Sequence, residues 1–345
     1  MSAPTPLPAG KTRGQPGPVA KIAAIWQALD AAGPDASVAE LEKHGLAQCH
    51  PALLRNLFHR AFRARRYEKA HLAQNALLKH PVGVKPKDGR DIPFMSWNRQ
   101  PGIGQAAERY LFVSGVARSG TTALGRMLGM HRDVAMYIEL YLPNYGYIPQ
   151  MFAPENIQML CESGLLTLNG NNRSIFKKSK NCRVVGDKRP GFITSAELTL
   201  LNFGRSEIKV VHILRNIYDV AASEQKRFET GRSKRNHVAA VRAANASNKK
   251  ALELLGGRHN HNVVILDYDR AWRSAEDIRA LYEHLGLDPF SADAKSVEDF
   301  VGKSKLIRAA HECRLSAAER AYVDDNYDKS AEETLRGHAF PQSGN

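Results

Sequence analysis

The apolar positions of the chain fall into two rhythms. Between residues 19 and 84 they recur at helical spacing. Ile22, Ile25, Trp26 and Leu29 share one face ahead of Gly33-Pro34, and Ser37 is placed to cap a short helix through Leu41. Two longer segments follow, Pro51 to Arg63 and Tyr67 to Leu78, closed by His80-Pro81. Beyond residue 106 short unbroken apolar runs alternate with helical stretches. Leu111 to Val113, Arg183 to Val185, Ile208 to Leu214 and Asn262 to Leu266 predict buried strands. Thr121 to His131, Gln150 to Leu166, Ile193 to Phe203, a segment from near Asp219, Asn245 to Leu255 and Glu276 to Leu285 predict helices. Val134 to Ile148, with Glu139 and four tyrosines, fits neither period, and Thr167 to Asn181 is polar and basic.

Strands alternating with helices predict an α/β domain built on a parallel sheet covered on both faces. Such sheets bind ligands at the carboxyl ends of their strands, and Arg118, Lys188 and Arg215 each follow a predicted strand. Four segments are expected: a proline-rich disordered tail over residues 1–18, an all-helical appendage over 19–84, a Pro/Gly-rich charged linker over 85–105, and the α/β domain over 106–345. The appendage resembles the helix pairs of tetratricopeptide proteins, without their repeat of roughly 34 residues. It is expected to offer a protein-docking surface, and its basic run Arg60, Arg63, Arg65 and Arg66 to be a solvated helix face.

Charge narrows the partners. In 345 residues, 49 Lys and Arg against 35 Asp and Glu leave a net charge of +14, which predicts an anionic partner without choosing among nucleic acid, acidic lipid, nucleotide and polyanionic glycan. No apolar run is long enough to span a bilayer, and the start of the chain has no apolar signal-peptide core, so a cytoplasmic enzyme is expected. Cys49, Cys161, Cys182 and Cys313 are widely spread and form no C-x-x-C pair. Reduced structural thiols are expected, and no metal site.

The stretch Tyr110 to Thr122, YLFVSGVARSGTT, carries the candidate chemistry. A strand runs into a loop bracketed by Gly115 and Gly120, and Thr121 and Thr122 open a helix. Backbone N–H groups and the helix dipole converge at such a turn, which favours an anion. The glycines have the spacing of the pattern G-x-x-x-x-G-K-[ST], but Thr121 stands in place of the lysine. Arg118 supplies a cation within the loop, with a planar guanidinium suited to phosphate or sulfate. The same loop is also compatible with a plain strand-to-helix turn.

Together with the later motifs, this loop resembles the sulfotransferases that use 3'-phosphoadenosine 5'-phosphosulfate (PAPS), over roughly Tyr110 to the C-terminus. Arg118-Ser119-Gly120-Thr121-Thr122 is similar to the family's loop for the 5'-phosphosulfate. KVVHILRNIYDVAASEQKRF resembles the strand and helix that bind the 3'-phosphate, which implies that role for Arg215 and Ser223. Asp187-Lys188-Arg189-Pro190 resembles the acidic-Lys-x-Pro turn, with Arg189 where the family usually has a small residue. Tyr268 in ILDYDRAW resembles the Tyr-acidic stretch after a later strand, and VGKSKLIRAAHECRLS, with Lys303, resembles the closing cofactor loop. From RSGTT through HRDVAMYIEL the chain is also similar to the tyrosylprotein sulfotransferases, and Glu139 matches their catalytic glutamate.

The resemblance implies transfer of a sulfuryl group from PAPS to a hydroxyl, with PAP as product and no metal. Lys188 and Arg118 are then expected to offset charge on the leaving oxygen, and Glu139 to act as general base. His212 competes for the base role, although its place in an apolar strand also fits a core histidine. His131 is expected to end a helix, with a ligand role as the alternative. A glycan or glycolipid hydroxyl, an anionic glycan among them, comes first as acceptor, a peptide tyrosine second and a small alcohol or phenol third. Arg173, Lys177, Lys178, Lys180 and Arg183, with Lys226, Arg227, Arg232, Lys234 and Arg235, are candidates to flank an acidic one. Two other classes stay open: an ATP-dependent P-loop kinase using Asp267 as a Walker B carboxylate, and a non-enzymatic basic anion-binding module.

Overall fold

The computed structural model describes residues 49–80, 87–95, 107, 109–141, 146–204, 207–309 and 314–340. The chain divides into two compact units, Met1–Gly83 and Val84–Asn345. The tail, the helix expected at Ile22 to Leu29 and the one expected from Ser37 lie outside the described residues.

In the first unit, helices α1 (Pro51–Arg63) and α2 (Tyr67–Lys79) pack side by side. Pro51 supplies a fixed φ at the first turn, and the His50 side chain accepts a bond from Ala52 N at 3.2 Å. Leu53, Leu54, Leu57, Phe58 and Ala61 make the buried stripe of α1; Ala70, Ala73 and Ala76 of α2 are small and buried, which lets the two backbones come close. Arg65, with φ 59°, reverses the chain between them, and Arg66 N closes the turn on Ala61 O at 2.8 Å. Arg63, Arg65 and Arg66 are exposed, in keeping with a solvated face.

The second unit is built on a six-stranded, all-parallel sheet: β1 (Arg109–Gly115), β2 (Val134–Ile138), β3 (Val184–Lys188), β4 (Glu207–Leu214), β5 (Val263–Asp267) and β6 (Ala339–Phe340), in the spatial order β2-β3-β1-β4-β5-β6. Side chains alternate across β1. Leu111 and Val113 join Val211, Ile213 and Leu266 under α3 (Thr121–Leu128), while Tyr110 and Phe112 meet Phe152, Phe192 and Phe203 on the other face. A further apolar cluster joins Ile217, Val220 and Ala221 of α7 (Ile217–Glu229) to Ala240, Val241 and Ala244 of α8 (His237–Leu255). After β1 the chain builds β2 and β3 on one side, then crosses to β4 on the other. The carboxyl ends of β1 and β4 therefore flank a topological switch point, where sheets of this kind open a crevice.

Between the strands lie α4 (Pro154–Glu162), α5 (Gly170–Ser179), α6 (Ala196–Phe203), α9 (Ala275–His284), α10 (Ala294–Ala309), α11 (Ala317–Asn326) and α12 (Lys329–Gly337). Residues 87–95, within the stretch expected to be a linker, contain a 3-10 turn over Gly89–Phe94 in which Ile92 and Phe94 are buried. Cys49, Cys161 and Cys182 are free thiols. Among the described residues no helix is long and apolar enough to cross a membrane.

Candidate active site

The loop from β1 to α3 is shaped by two glycines. Gly120 caps α3 with φ 95°, and a Cβ there would meet the Tyr268 ring at 2.6 Å. At Gly115 a Cβ would lie 2.5 Å from Ser119 Oγ and 2.7 Å from Ile213 Cγ2. Arg118 also sits in the left-handed region, φ 75°, which turns its carbonyl and side chain toward β4 and α7. The first N–H groups of a helix have no carbonyl of their own, and no side chain caps those of α3. Thr121 is buried and Thr122 exposed; Ser119 Oγ is buried without a partner. Donors gathered at one helix start, with an orphaned hydroxyl among them, suit an anion.

Arg215 leaves the end of β4 and lies across this loop. Its Nη1 donates to Arg118 O at 3.1 Å, its guanidinium is 4.6 Å from the Tyr268 ring centre, and its Nη2 is 3.6 Å from Asp219 Oδ2. Its Nε is buried without a partner. Arg118 Nε donates to Ser223 Oγ at 3.0 Å. Asn216 starts α7 by accepting from Tyr218 N, so Asp219 and Ser223 fall on one helix face, four residues apart. The structure thus brings Arg118, Arg215, Ser223 and Tyr268 into one cluster. Arg118 reaches Ser223 on the helix after β4, whereas Lys188 ends β3, on the other side of β1 in the strand order.

Lys188 ends β3, and its side chain is only 1% exposed. Gly125 makes room for its stem, since a Cβ there would lie 2.9 Å from Lys188 Cβ. Nζ pairs with Glu139 Oε1 at 2.5 Å, while the Glu139 side chain keeps 48% of its surface exposed. Glu139 directly follows β2, with φ 54°, and its N–H donates to Lys188 O at 2.9 Å. The turn after Lys188 is tied to β1 through Arg189 N on Val113 O, 2.9 Å, and Gly191 N on Gly115 O, 2.7 Å. Arg189 Nη1 points away to Tyr141 O at 2.8 Å, so the unusual arginine leaves the Lys188 pair intact. Asp187 is fully buried and accepts from Leu140 N at 3.1 Å and Tyr147 OH at 2.8 Å. Burial pushes its carboxyl up to about 6 despite these bonds and the cations nearby.

Other expected residues fall elsewhere. Lys303 is exposed on α10, a helix where a closing loop was expected; the end of that stretch, 310–313, lies outside the described residues. His131 donates from Nε2 to Asp288 O at 2.8 Å and accepts from Asp133 N at Nδ1, 3.1 Å, which fixes a neutral tautomer with both nitrogens engaged. Asp267, the Walker B candidate, is bonded to Arg336 Nη1 at 2.5 Å and to Asp269 N at 3.0 Å. Among the described residues no group of His, Cys, Asp and Glu is arranged to hold a metal ion.

His212 lies inside the sheet between Ser114 and Ile265, with both ring nitrogens buried and unpartnered. That is neither a base facing a cleft nor a core histidine with its bonds made. Burial lowers its pKa from 6.5 to about 4. The folded state therefore resists a proton that the unfolded chain accepts, and the stability tied to His212 is lost as pH falls from 6.5 to about 4. His212→Leu is expected to keep turnover and to be more stable than the parent, by a margin growing by up to about 1.4 kcal/mol per pH unit on acidification through that range. Urea unfolding across the pH range measures the margin; a constant gap would show that His212 does not titrate this way.

Three contributors carried little or no sequence signal. Asp219, four residues after Arg215, was recoverable from helix spacing, whereas Asn172 and Tyr147 act through contacts with residues far along the chain.

A sulfotransferase family model matches residues 111–292, from the strand of the glycine loop to the bridge at Ala292. No curated protein matches the chain. Similar solved structures include a sulfotransferase from Alicyclobacillus acidocaldarius, 17% identical over 61% of this chain and 98% of that one, with a TM-score of 0.37. Sulfotransferase STF9 from Mycobacterium avium is 12% identical over 66% of this chain and 75% of its own, TM-score 0.40. Mouse sulfotransferase SULT7A1, complexed with PAP, is 11% identical over 70% and 86%, TM-score 0.35. The family match spans more than half of the 345 residues and takes in the loop, the arginine cluster and the Lys188–Glu139 pair, and the chain belongs to the sulfotransferase family.

Proposed function

We propose that the protein transfers the sulfuryl group of PAPS to a hydroxyl acceptor, with Glu139 as general base. The observation that carries this is the meeting of Arg118, Arg215, Ser223 and Tyr268 beside the glycine loop, one strand away from the Lys188–Glu139 pair. The unpartnered Ser119 Oγ and Arg215 Nε are the atoms that an anionic nucleotide would satisfy. Ser119 to Thr122, with Arg118, would hold the 5'-phosphosulfate, and Arg215 and Ser223 the 3'-phosphate. Tyr268 supports the Arg215 guanidinium from below, and Lys303 is assigned to closure over the nucleotide. When bound, PAPS supplies a sulfuryl group whose sulfur–oxygen bond to the 5'-phosphate breaks as the acceptor oxygen attacks.

The chain's own groups do the rest by position and charge. Lys188 holds Glu139 through Oε1, and Oε2 is the atom assigned to take the acceptor's proton. Lys188 and Arg118 are assigned to oppose the charge that develops on the leaving oxygen. Lys178 is withdrawn from substrate binding, because its Nζ donates to Gly129 O at 2.8 Å and His131 O at 2.6 Å. Lys226 and Arg227 stand three and four residues beyond Ser223 on the same helix, and Arg232, Lys234 and Arg235 follow it exposed. That basic run favours an acidic acceptor, a glycan or glycolipid hydroxyl ahead of a peptide tyrosine. The kinase alternative is weakened by the engagement of Asp267 with Arg336.

Calorimetric titration with PAP tests the nucleotide site. Arg118→Ala and Arg215→Ala each remove a charge-assisted contact worth about 1.5–3 kcal/mol, so PAP affinity falls by about 10- to 150-fold. Arg215→Ala also abolishes the preference for PAP over AMP. Undiminished PAP binding in both variants would falsify the assignment.

A further inference from the structure

We infer that Asn172 is a positioning residue for Glu139, an inference that rests on Glu139 being the base. β2 is the edge strand of the sheet, so its outer backbone groups have no neighbouring strand to bond. At Ile138, the last residue of β2, the Asn172 side chain takes the place of that strand. Its Oδ1 accepts from Ile138 N at 2.9 Å and its Nδ2 donates to Ile138 O at 3.1 Å. Asn172 is 2% exposed and is itself fixed in the first turn of α5, where its N–H donates to Asn169 Oδ1 at 2.9 Å.

The opposite side of the segment is held as firmly. Glu139 N donates to Lys188 O, and Leu140 N to Asp187 Oδ1. Three successive residues are thus gripped, Ile138 from the outer side and Glu139 and Leu140 from the other, and the middle one is Glu139, at a φ of 54° that a side-chain-bearing residue rarely adopts. Such a conformation persists only where the surroundings over-determine it. The Lys188 and Asp187 bonds alone leave the outer side of the edge strand open. With Asn172 in place, Ile138 cannot swing outward, and the turn that aims the Glu139 carboxylate at Lys188 Nζ is kept. Asn172 touches neither Glu139's carboxylate nor the loop, so its effect runs through the backbone.

Amide hydrogen exchange, read residue by residue by NMR in the full chain, tests this directly. In Asn172→Ala the Ile138 amide loses its acceptor, and exchange at Ile138, Glu139 and Leu140 is expected to rise at least tenfold, with PAP affinity unchanged. Asn172→Asp keeps the acceptor and loses the donor, giving a milder variant should the alanine form fold poorly; it is expected to speed exchange at Glu139. Unaltered exchange at Glu139 in the folded variants overturns the proposal, whatever happens at Ile138. PAP release from PAPS with p-nitrophenol as surrogate acceptor adds a second readout. Asn172→Ala is expected to lower kcat by about 10- to 100-fold without raising KM for PAPS, and to have no further effect in a Glu139→Gln background. A loss of equal size in that background also overturns it. Full activity in Glu139→Gln alone is the separate outcome that removes Glu139 as base, and the exchange data still decide whether Asn172 holds the segment.

Discussion

Glu139→Gln is expected to bind PAP as the parent does and to turn over about 10²- to 10⁴-fold more slowly, the range a positioned general base contributes. The substitution separates chemistry from structure, because a glutamine carbonyl can still accept from Lys188 Nζ and keeps that buried nitrogen bonded. Glu139→Ala is a poorer test. It leaves an ammonium that is 1% exposed without its partner, and the loss of a bond to a charged group adds about 1.5–3 kcal/mol of instability to any kinetic effect. Single-turnover measurement of PAP formation, beside PAP titration, reads the two quantities independently. A Glu139→Gln enzyme at parental speed would transfer the base role to another group in the cleft, and His212, sealed inside the sheet, is not placed to receive it.

The second large effect is on folding. A Cβ at Gly186 would lie 1.6 Å from Leu111 O, inside the backbone of the adjacent strand, where no rotamer change gives relief. Gly186→Ala must push β3 from β1 and with it Asp187 and Lys188, whose turn is bonded to the end of β1. The expected cost is at least about 4 kcal/mol, seen as a collapse of the urea midpoint or as insoluble protein. Gly170→Ala serves as the control. A Cβ there meets nothing within 4 Å, and at the first turn of α5 an alanine is expected to be neutral or to stabilise by about 0.4–1 kcal/mol. Equal stability of the two variants would mean that the strands tolerate separation at this point.

The sheet was most legible at β4 and β5, where long apolar runs are buried. Ile208 to Leu214 differs from the observed β4 by one residue at its start, and Asn262 to Leu266 from β5 by one residue at each end, since central parallel strands are continuous apolar runs. Val134–Ile138 was hidden because its apolar run passes without a break into Glu139, Leu140 and Tyr141, which leave the sheet at a left-handed residue that periodicity does not register. Helix α5 was read only as a polar stretch, since its buried residues include Asn172 and Ser179 and apolar spacing cannot mark them. Its function in holding Ile138 depends on a pairing 34 residues apart, with no local trace. Arg118 and Arg215 stood out as cations after predicted strands, and Ser223 entered only through the family resemblance; the direct bond from Arg118 to Ser223 belongs to the tertiary structure.

Asp187 on β3 and His212 on β4, with β1 between them, exchange protons in opposite senses when the chain folds. Between about pH 4 and 6, folding loads a proton onto Asp187, whose carboxyl moves from 3.8 up to about 6, and strips one from His212, which moves from 6.5 down to about 4. Stability drawn from Asp187 drains away as the medium grows more alkaline through that interval, while the share from His212 builds up. The two slopes oppose each other, so in mild acid the pair tilts the stability profile less than either group would alone. Replacing one partner uncovers the slope of the other.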